Sequence, residues 1–353
     1  MRFISCFSGV DAASVASKHL GWEALAFSEI APFPSAVLAH HYPQVPNLGD
    51  ITKIDWSEYH GKTDLMCGGS PCQAFSTAGL HKSLDDPRGN LTLEYMRAVH
   101  QVKPRWVLWE NVPGVFSAKG NPFGCFLAGL AGYDAPIEPA GGKWASSGWL
   151  MSASEEGYSI AWRVLDAQHF GVPQRRKRIF LVGHRGTSWK PCTALLERSC
   201  LQGISSTCSE ARNPTPRNAR ECITICDRTA GNLAVGVDFC PTLTLSCPPA
   251  IAITTANTSA NGSNVSVGLS PTLTLSSPPA VTVSPTEIRR ITPIEAERLQ
   301  GFPDNYTRIP YKRKPAECCP TGARYKAMGN SWAVPVVRWI FERIDSVDAG
   351  GIC

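Results

Sequence analysis

The decapeptide CGGSPCQAFS, residues 67–76, sets Cys72 between a proline and a glutamine, behind two glycines and a serine. Such a thiol can be an inert filler, a disulfide partner, a metal ligand or a nucleophile. The apolar run just before it, DLMCGG (64–69), reads as a buried strand, so Cys72 stands just past a strand's carboxyl end. Gly68 and Gly69 permit a tight turn and a close approach by another molecule. Pro71 fixes its own φ and restrains Ser70. Only the thiolate attacks, and ordinary cysteine ionises near pH ~8.5, so a nucleophile here needs nearby donors or positive charge.

Other strands frame the same end. RFISCF (2–7), EALAFSEI (23–30), WVLWENV (106–112), SIAWRVLD (159–166) and RIFLVGH (178–184) are short and apolar. Helical patterns alternate with several of them. Asp11 is placed to cap a helix running to about Leu20, with Gly21 as its stop, and LTLEYMRAVHQV (91–102) has helical spacing. The alternation predicts an α/β fold: a mostly parallel, doubly wound sheet with helices on both faces. Such sheets bind ligands at the carboxyl ends of their strands, where Gly9, Glu29, Cys72 and Glu110 fall.

The composition narrows the class. A chain of 353 residues with 43% hydrophobic and 18% charged side chains is globular. No apolar run has the length of a membrane span, and Ser8, Gly9 and Asp11 interrupt the N-terminus too early for a signal peptide. The expectation is a soluble, cytoplasmic protein with no membrane partner. The 14 cysteines are then reduced thiols. Cys222 and Cys226 find no second pair to complete a zinc site, so no metal is expected. The net charge of +5 says little, but its distribution is uneven. PQRRKRIFLVGHRGTSWK (173–190) and RIPYKRKPAECCPTGARYK (308–326) each carry six Lys or Arg, the second against a single carboxylate. They read as solvated faces or as phosphate-contacting surfaces.

Two stretches depart from the sheet pattern. Residues 117–157 are rich in Gly, Ala and Ser and read as an insertion between strands. In 189–286, PTLTLSCPPAIAI (241–253) returns as PTLTLSSPPAVTV (271–283). Period-two alternation closed by Pro-Pro predicts a small β-rich module rather than a linker.

Two further segments carry chemistry. Glu110 in WENV ends an apolar strand, where a carboxylate must be paired or protonated. In QRRKR (174–178), Gln174, Arg176 and Arg178 share one face if the segment is extended. An arginine fork there suits a carbonyl, a phosphate or Glu110 itself.

The ordered set FSG, an acidic residue after the second strand, GD, GGSPCQAFS, RGNLTLEYMR, ENV, QRRKR, RRITPIEAERLQGFPDNY and GNS strongly resembles the DNA cytosine-C5 methyltransferases. That resemblance implies a Rossmann-like methyltransferase fold and methyl transfer from S-adenosylmethionine to cytosine C5 in duplex DNA. It implies that Cys72 adds to C6 of a flipped-out base. It implies that Glu110 bonds N3 and the exocyclic amine, and that Arg178 and Arg176 contact O2 and the backbone. Ser70, Pro71, Gln73, Ser76, Asn111 and Gln174 are the expected substrate-side residues. Phe7, Ser8, Gly9, Glu29, Asp50, Ile51, Asn330 and Ser331 are the expected cofactor residues, Glu29 at the ribose hydroxyls and Asp50 at the adenine amine. The loop after Cys72 is the expected lid. The first loop departs from the family's F-x-G-x-G-G, with Asp11 and Ala12 in place of the last two glycines.

The expected organisation is a catalytic domain at 1–188, a target-recognition domain at 189–286 and a C-terminal return at 287–353, acting as a monomer, with or without a cognate restriction enzyme. The helix begun by Thr292, Pro293 and Glu295 is expected to be structural. Rival readings are an RNA cytosine methyltransferase, a silent DNA-binding relative and a nicotinamide-dependent oxidoreductase. The length of the region after QRRKR favours DNA. The intact PCQ, ENV and QRRKR segments weigh against silence, and the imperfect glycine loop against a nicotinamide enzyme.

Overall fold

The computed structural model describes residues 1–71, 91–196 and 290–351, and between 222 and 290 the backbone of short strands. It divides into two units. The first comprises Met1–Leu165, Lys177–Ser205 and Val336–Cys353; the second comprises Asp166–Arg176 and Ser206–Pro335. These units differ in extent from the expected 1–188, 189–286 and 287–353. Residues 166–176 and 287–335 belong together because Gln174 and Arg176 are buried against main-chain carbonyls of Leu299, Gly329 and Ser331.

The first unit is built on a seven-stranded sheet. Its strands are β1 (Arg2–Cys6), β2 (Glu23–Ser28), β3 (Leu65–Gly68), β4 (Trp106–Asn111), β5 (Ser147–Leu150), β6 (Tyr158–Asp166) and β7 (Lys177–Arg185). The order is β2-β1-β3-β4-β7-β6-β5. The β2-β1-β3-β4 half is parallel, whereas β7 runs against β4 and β5 against β6, so the sheet is mixed. Parallel strands are covered on both faces and need unbroken apolar runs. In β4 all six residues are buried.

The helices of this unit are α1 (Ala12–Ser17), α2 (Pro32–His41), α3 (Leu91–Val102), α4 (Pro122–Ala131) and α5 (Lys190–Leu195). The chain's last helix, α8 (Val334–Asp348), returns to it. Trp22 and Trp106 donate their indole N–H to Asp345 and Asp348 of α8, each at 2.9 Å. Residues 117–157 are more than an insertion. α4 buries Phe123, Phe126, Leu127 and Leu130 in the main core, and β5 forms the edge of the main sheet. No described helix is long and apolar enough to cross a membrane.

The second unit contains α6 (Pro293–Leu299) and α7 (Thr321–Asn330). Thr292 and Glu295 form the reciprocal cap that their spacing predicts. Glu297, on the buried face of α6, accepts from Arg324 at 2.8 Å and from the main-chain N–H groups of Asn305 and Thr307 at 2.7 and 2.9 Å. Full pairing is what lets a buried charge persist.

Backbone strands β8 (Cys222–Cys226) and β9 (Ala234–Asp238) pair antiparallel; β10 (Ala252–Ile253), β11 (Ala280–Ser284) and β12 (Glu287–Arg290) form a three-stranded sheet. The ends of the two sequence repeats meet there, Ala252 opposite Val281. The Thr-Leu runs lie outside the described residues.

Tyr95 of α3 is fully buried, and its hydroxyl lies 3.0 Å from the carbonyls of both Met66 and Leu108, on neighbouring strands β3 and β4. Tyr95→Phe is expected to cost about 1–2 kcal/mol, read as a lower urea midpoint with unchanged m.

Candidate active site

The carboxyl end of β1 turns sharply. Phe7, Gly9 and Asp11 all take left-handed φ, at 51°, 56° and 58°. The Ser8 hydroxyl donates to Ser5 O at 2.7 Å, and the Gly9 N–H donates to Glu29 Oε2 at 2.8 Å. Oε1 of Glu29 accepts from Ala31 N–H at 2.6 Å. Glu29 is thus oriented by two main-chain donors while half-buried at the end of β2. A carboxylate has about four acceptor positions, so it can still receive two hydroxyl protons. A Cβ at Gly9 would meet nothing within 4 Å, so the space over the loop is open. Ile30 beside Glu29 is 72% exposed, an apolar surface that the sequence reading missed.

The left-handed turn accounts for Asp11 where the family has glycine. Asp tolerates this conformation better than most residues, and its carboxylate accepts from Ser14 N–H at 3.2 Å as the cap of α1. Ala12 follows as a buried helical residue. Asp11 is completely buried, and burial pushes its carboxyl up to about 6.

Segment 46–49 runs beside β2, with Leu48 N–H donating to Phe27 O at 2.8 Å and the Ser28 hydroxyl to Gly49 O at 2.8 Å. It delivers Asp50 to the strand end. Hydrogen bonds from the Thr52 hydroxyl and N–H hold the Asp50 carboxyl below its usual range. Ile51 is buried in the core, its carbonyl held by Arg97 at 2.8 Å, so its side chain serves packing.

The turn after β3 is tied to the end of β4. The buried Ser70 hydroxyl lies 2.7 Å from Thr92 Oγ1 and accepts from Trp109 Nε1 at 3.1 Å. Asn111 Nδ2 donates to Ser70 O at 3.1 Å, and Asn111 Oδ1 accepts from Val112 N–H. Thr92 and Trp109 were not foreseen as supports, although the RGNLTLEYMR and WENV segments contain them. Pro71 is exposed directly beyond this clasp. Cys72, Gln73, Ser76 and the expected lid lie outside the described residues. Cys6 and Cys67, on β1 and β3, are buried and have thiols pushed well above the ordinary range, so they are inert.

Glu110 is 8% exposed and pairs with Arg178 Nε at 3.1 Å. Of the expected arginine fork, Arg178 meets Glu110. β7 begins at Lys177, so only Arg178 of the expected shared face is on a strand. Gln174 and Arg176 are in the second unit. The Arg176 guanidinium donates to Gly329 O at 3.3 Å and Ser331 O at 2.8 Å, and Gln174 Nε2 to Leu299 O at 3.4 Å. Both hold main chain in place. Asn330 and Ser331 end α7 in the same unit, Asn330 exposed and Ser331 buried.

A mixed seven-stranded sheet carrying this glycine turn, strand-end carboxylate and Ser-Pro turn defines a Rossmann-like methyltransferase fold. The chain belongs to the C-5 cytosine-specific DNA methylase family, whose model matches residues 1–135, 143–227 and 247–346. It is 34% identical to the DNA N-6-adenine-methyltransferase of Escherichia phage P1 over 96% of this chain, and spans 60% of that longer protein. It is 27% identical to Type II methyltransferase M.HpaII of Haemophilus parainfluenzae, covering 97% of this chain and 88% of that one. Among solved structures, S. pombe Dnmt2 methyltransferase superposes with a TM-score of 0.59 at 15% identity, over 99% of each chain, a likeness of fold.

The Asp11 carboxyl is raised from an ordinary value of 3.8 to about 6, so folding favours its protonated form. The sign follows: stability is greatest below the ordinary value, falls as pH rises through the window, and the loss is complete above about 6. Asp11→Asn keeps the cap without the charge, and is expected to be the more stable protein at about pH 7.5 by on the order of 1–3 kcal/mol. Urea titrations across pH should show that advantage vanish below about pH 4.

Proposed function

We propose that this chain methylates C5 of cytosine in duplex DNA, with S-adenosylmethionine as the methyl donor. The observation carrying the proposal is the pairing of Glu110 with Arg178 at the end of β4, beside the clasp that leads the chain into Cys72. C5 of cytosine is a poor nucleophile. Addition of the Cys72 thiolate to C6 breaks the ring's C5–C6 double bond and makes C5 electron-rich. Glu110 hydrogen-bonds N3 and the amine, and Arg178 the O2 oxygen, where charge builds during attack. After methylation the C5 proton leaves, the electron pair returns to the ring and Cys72 is expelled. The target must leave the base stack first, at a cost of a few kcal/mol.

The residues at the ends of β1 and β2 fit the donor. Glu29 has acceptor positions for a ribose diol, Asp50 an ionised oxygen for an amine, and Ile30 an apolar surface for a flat base. Gly9 leaves room above the loop. When bound, S-adenosylmethionine supplies an electrophilic methyl group. The chain's residues orient it, and Asp11 fixes the shape of the turn that does so. Phe7, Ser8, Asn330 and Ser331 complete the set we assign to the cofactor.

The phage P1 relative's name raises a second acceptor, the adenine amine. That nitrogen has its own lone pair and needs no thiolate. A cysteine behind a rigid turn, with an acid–arginine pair on the adjoining strand, answers the demand of a carbon acceptor. The working species we infer is a monomer meeting duplex DNA.

Cys72→Ser is expected to lower methyl transfer from labelled cofactor by at least about 10³-fold, and Arg178→Ala by about 10²-fold. DNA carrying 5-fluorocytosine should trap wild-type protein covalently and the Cys72→Ser variant not at all. Label appearing on adenine, or full turnover without Cys72, would sink the proposal.

A further inference from the structure

The segment IPYKRKP (309–315) folds into a hairpin of minimal size in the second unit. Tyr311 and Lys314 exchange both main-chain hydrogen bonds, each 3.0 Å. The two residues between them, Lys312 and Arg313, have φ of 49° and 61°. Two successive left-handed residues are the arrangement of a type I′ turn, which Asn-Gly fills with little strain and long side chains do not. Pro310 and Pro315 flank this single bridge and fix their own φ on either side of it.

The result is a short projection whose tip is three consecutive exposed cations, Lys312, Arg313 and Lys314. Among the described residues none of the three pairs with a carboxylate. The Lys312 ammonium sits 5.6 Å from the centre of the Tyr311 ring. Of the nearby charges, Arg308 is paired with Glu317 at 3.8 Å and Arg298 with Asp304 at 2.5 Å. The neighbourhood therefore neutralises its other arginines and leaves the tip positive. Backbone strain held at an exposed site, with unpaired charge on the strained residues, points to use of those side chains.

We propose that this hairpin is a phosphate-gripping finger. Its tip contacts the sugar–phosphate backbone of the duplex substrate and adds affinity without reading sequence. The inference rests on the reading above that the substrate is duplex DNA. Phosphates are the partner that clustered ammonium point charges and a guanidinium suit best.

The test replaces the tip with a relaxed turn. Lys312→Asn with Arg313→Gly removes two charges and the strain together. Lys62→Gln with Lys119→Gln removes two charges from exposed positions elsewhere and serves as the control. Duplex affinity is measured by fluorescence anisotropy across salt concentrations. The turn variant is expected to keep or raise its melting temperature, and to lower the log–log salt slope by about 2 relative to wild type, since each phosphate contact contributes about 0.9. At about 150 mM salt its Kd should rise about tenfold, with single-turnover methylation at saturating DNA retained. A slope equal to that of the control overturns the finger. So does a loss confined to single-stranded RNA. Wild-type protein with no salt-dependent duplex binding would instead overturn the reading of the substrate, and the finger with it.

Discussion

One clasp governs the candidate site: the Ser70 carbonyl held by Asn111, with the Ser70 hydroxyl set between Thr92 and the Trp109 indole. It joins the ends of two parallel strands through main chain and side chain at once. Each partner is buried, so losing one would leave an unsatisfied polar group in the core, which makes the geometry stiff. Stiffness is what the proposed nucleophile would require of the turn ahead of it, because small displacements of reacting atoms cost large factors in rate. Glu110 lies between Trp109 and Asn111, so the clasp also fixes the carboxylate that Arg178 meets.

The first loop solves a related problem by different means. Its shape comes from three left-handed residues rather than a run of glycines. Gly9 is the one that must leave room above it. Asp11 takes the same backbone conformation with a side chain and uses that side chain as a cap. The loop therefore keeps its path while acquiring a buried ionisable group, a departure that makes this end of the sheet sensitive to acidity.

Much of this was legible in the sequence because it is local. Six strands and α3 follow from short apolar runs and helical spacing, and the cap at Thr292 from three residues in fixed order. α4 was passed over because PFGCFLAGLA carries two glycines, yet Asn121, Pro122 and Gly132 bound it with ordinary start and stop signals. β5 is four residues of an edge strand, mostly small or half-exposed, and gives almost no periodic signal. The carbonyl contacts of Gln174 and Arg176 were not legible for a different reason. QRRKR looks like one extended basic face, and no local feature records that two of its members find carbonyls more than a hundred residues away. Glu110 and Arg178 were legible as candidates, and the register of β4 against β7 made them partners.

That long reach bears on how the protein comes into being on the ribosome. Arg176 emerges early, but Gly329, which accepts one of its hydrogen bonds, follows 153 residues later. At synthesis rates of about 5–20 residues per second, the guanidinium waits on the order of ten seconds or more for that acceptor. Throughout that interval the nascent second unit holds a cation that cannot yet be buried. Its core therefore closes only near the end of translation, and a chain cut short before α7 would be left without acceptors for that guanidinium.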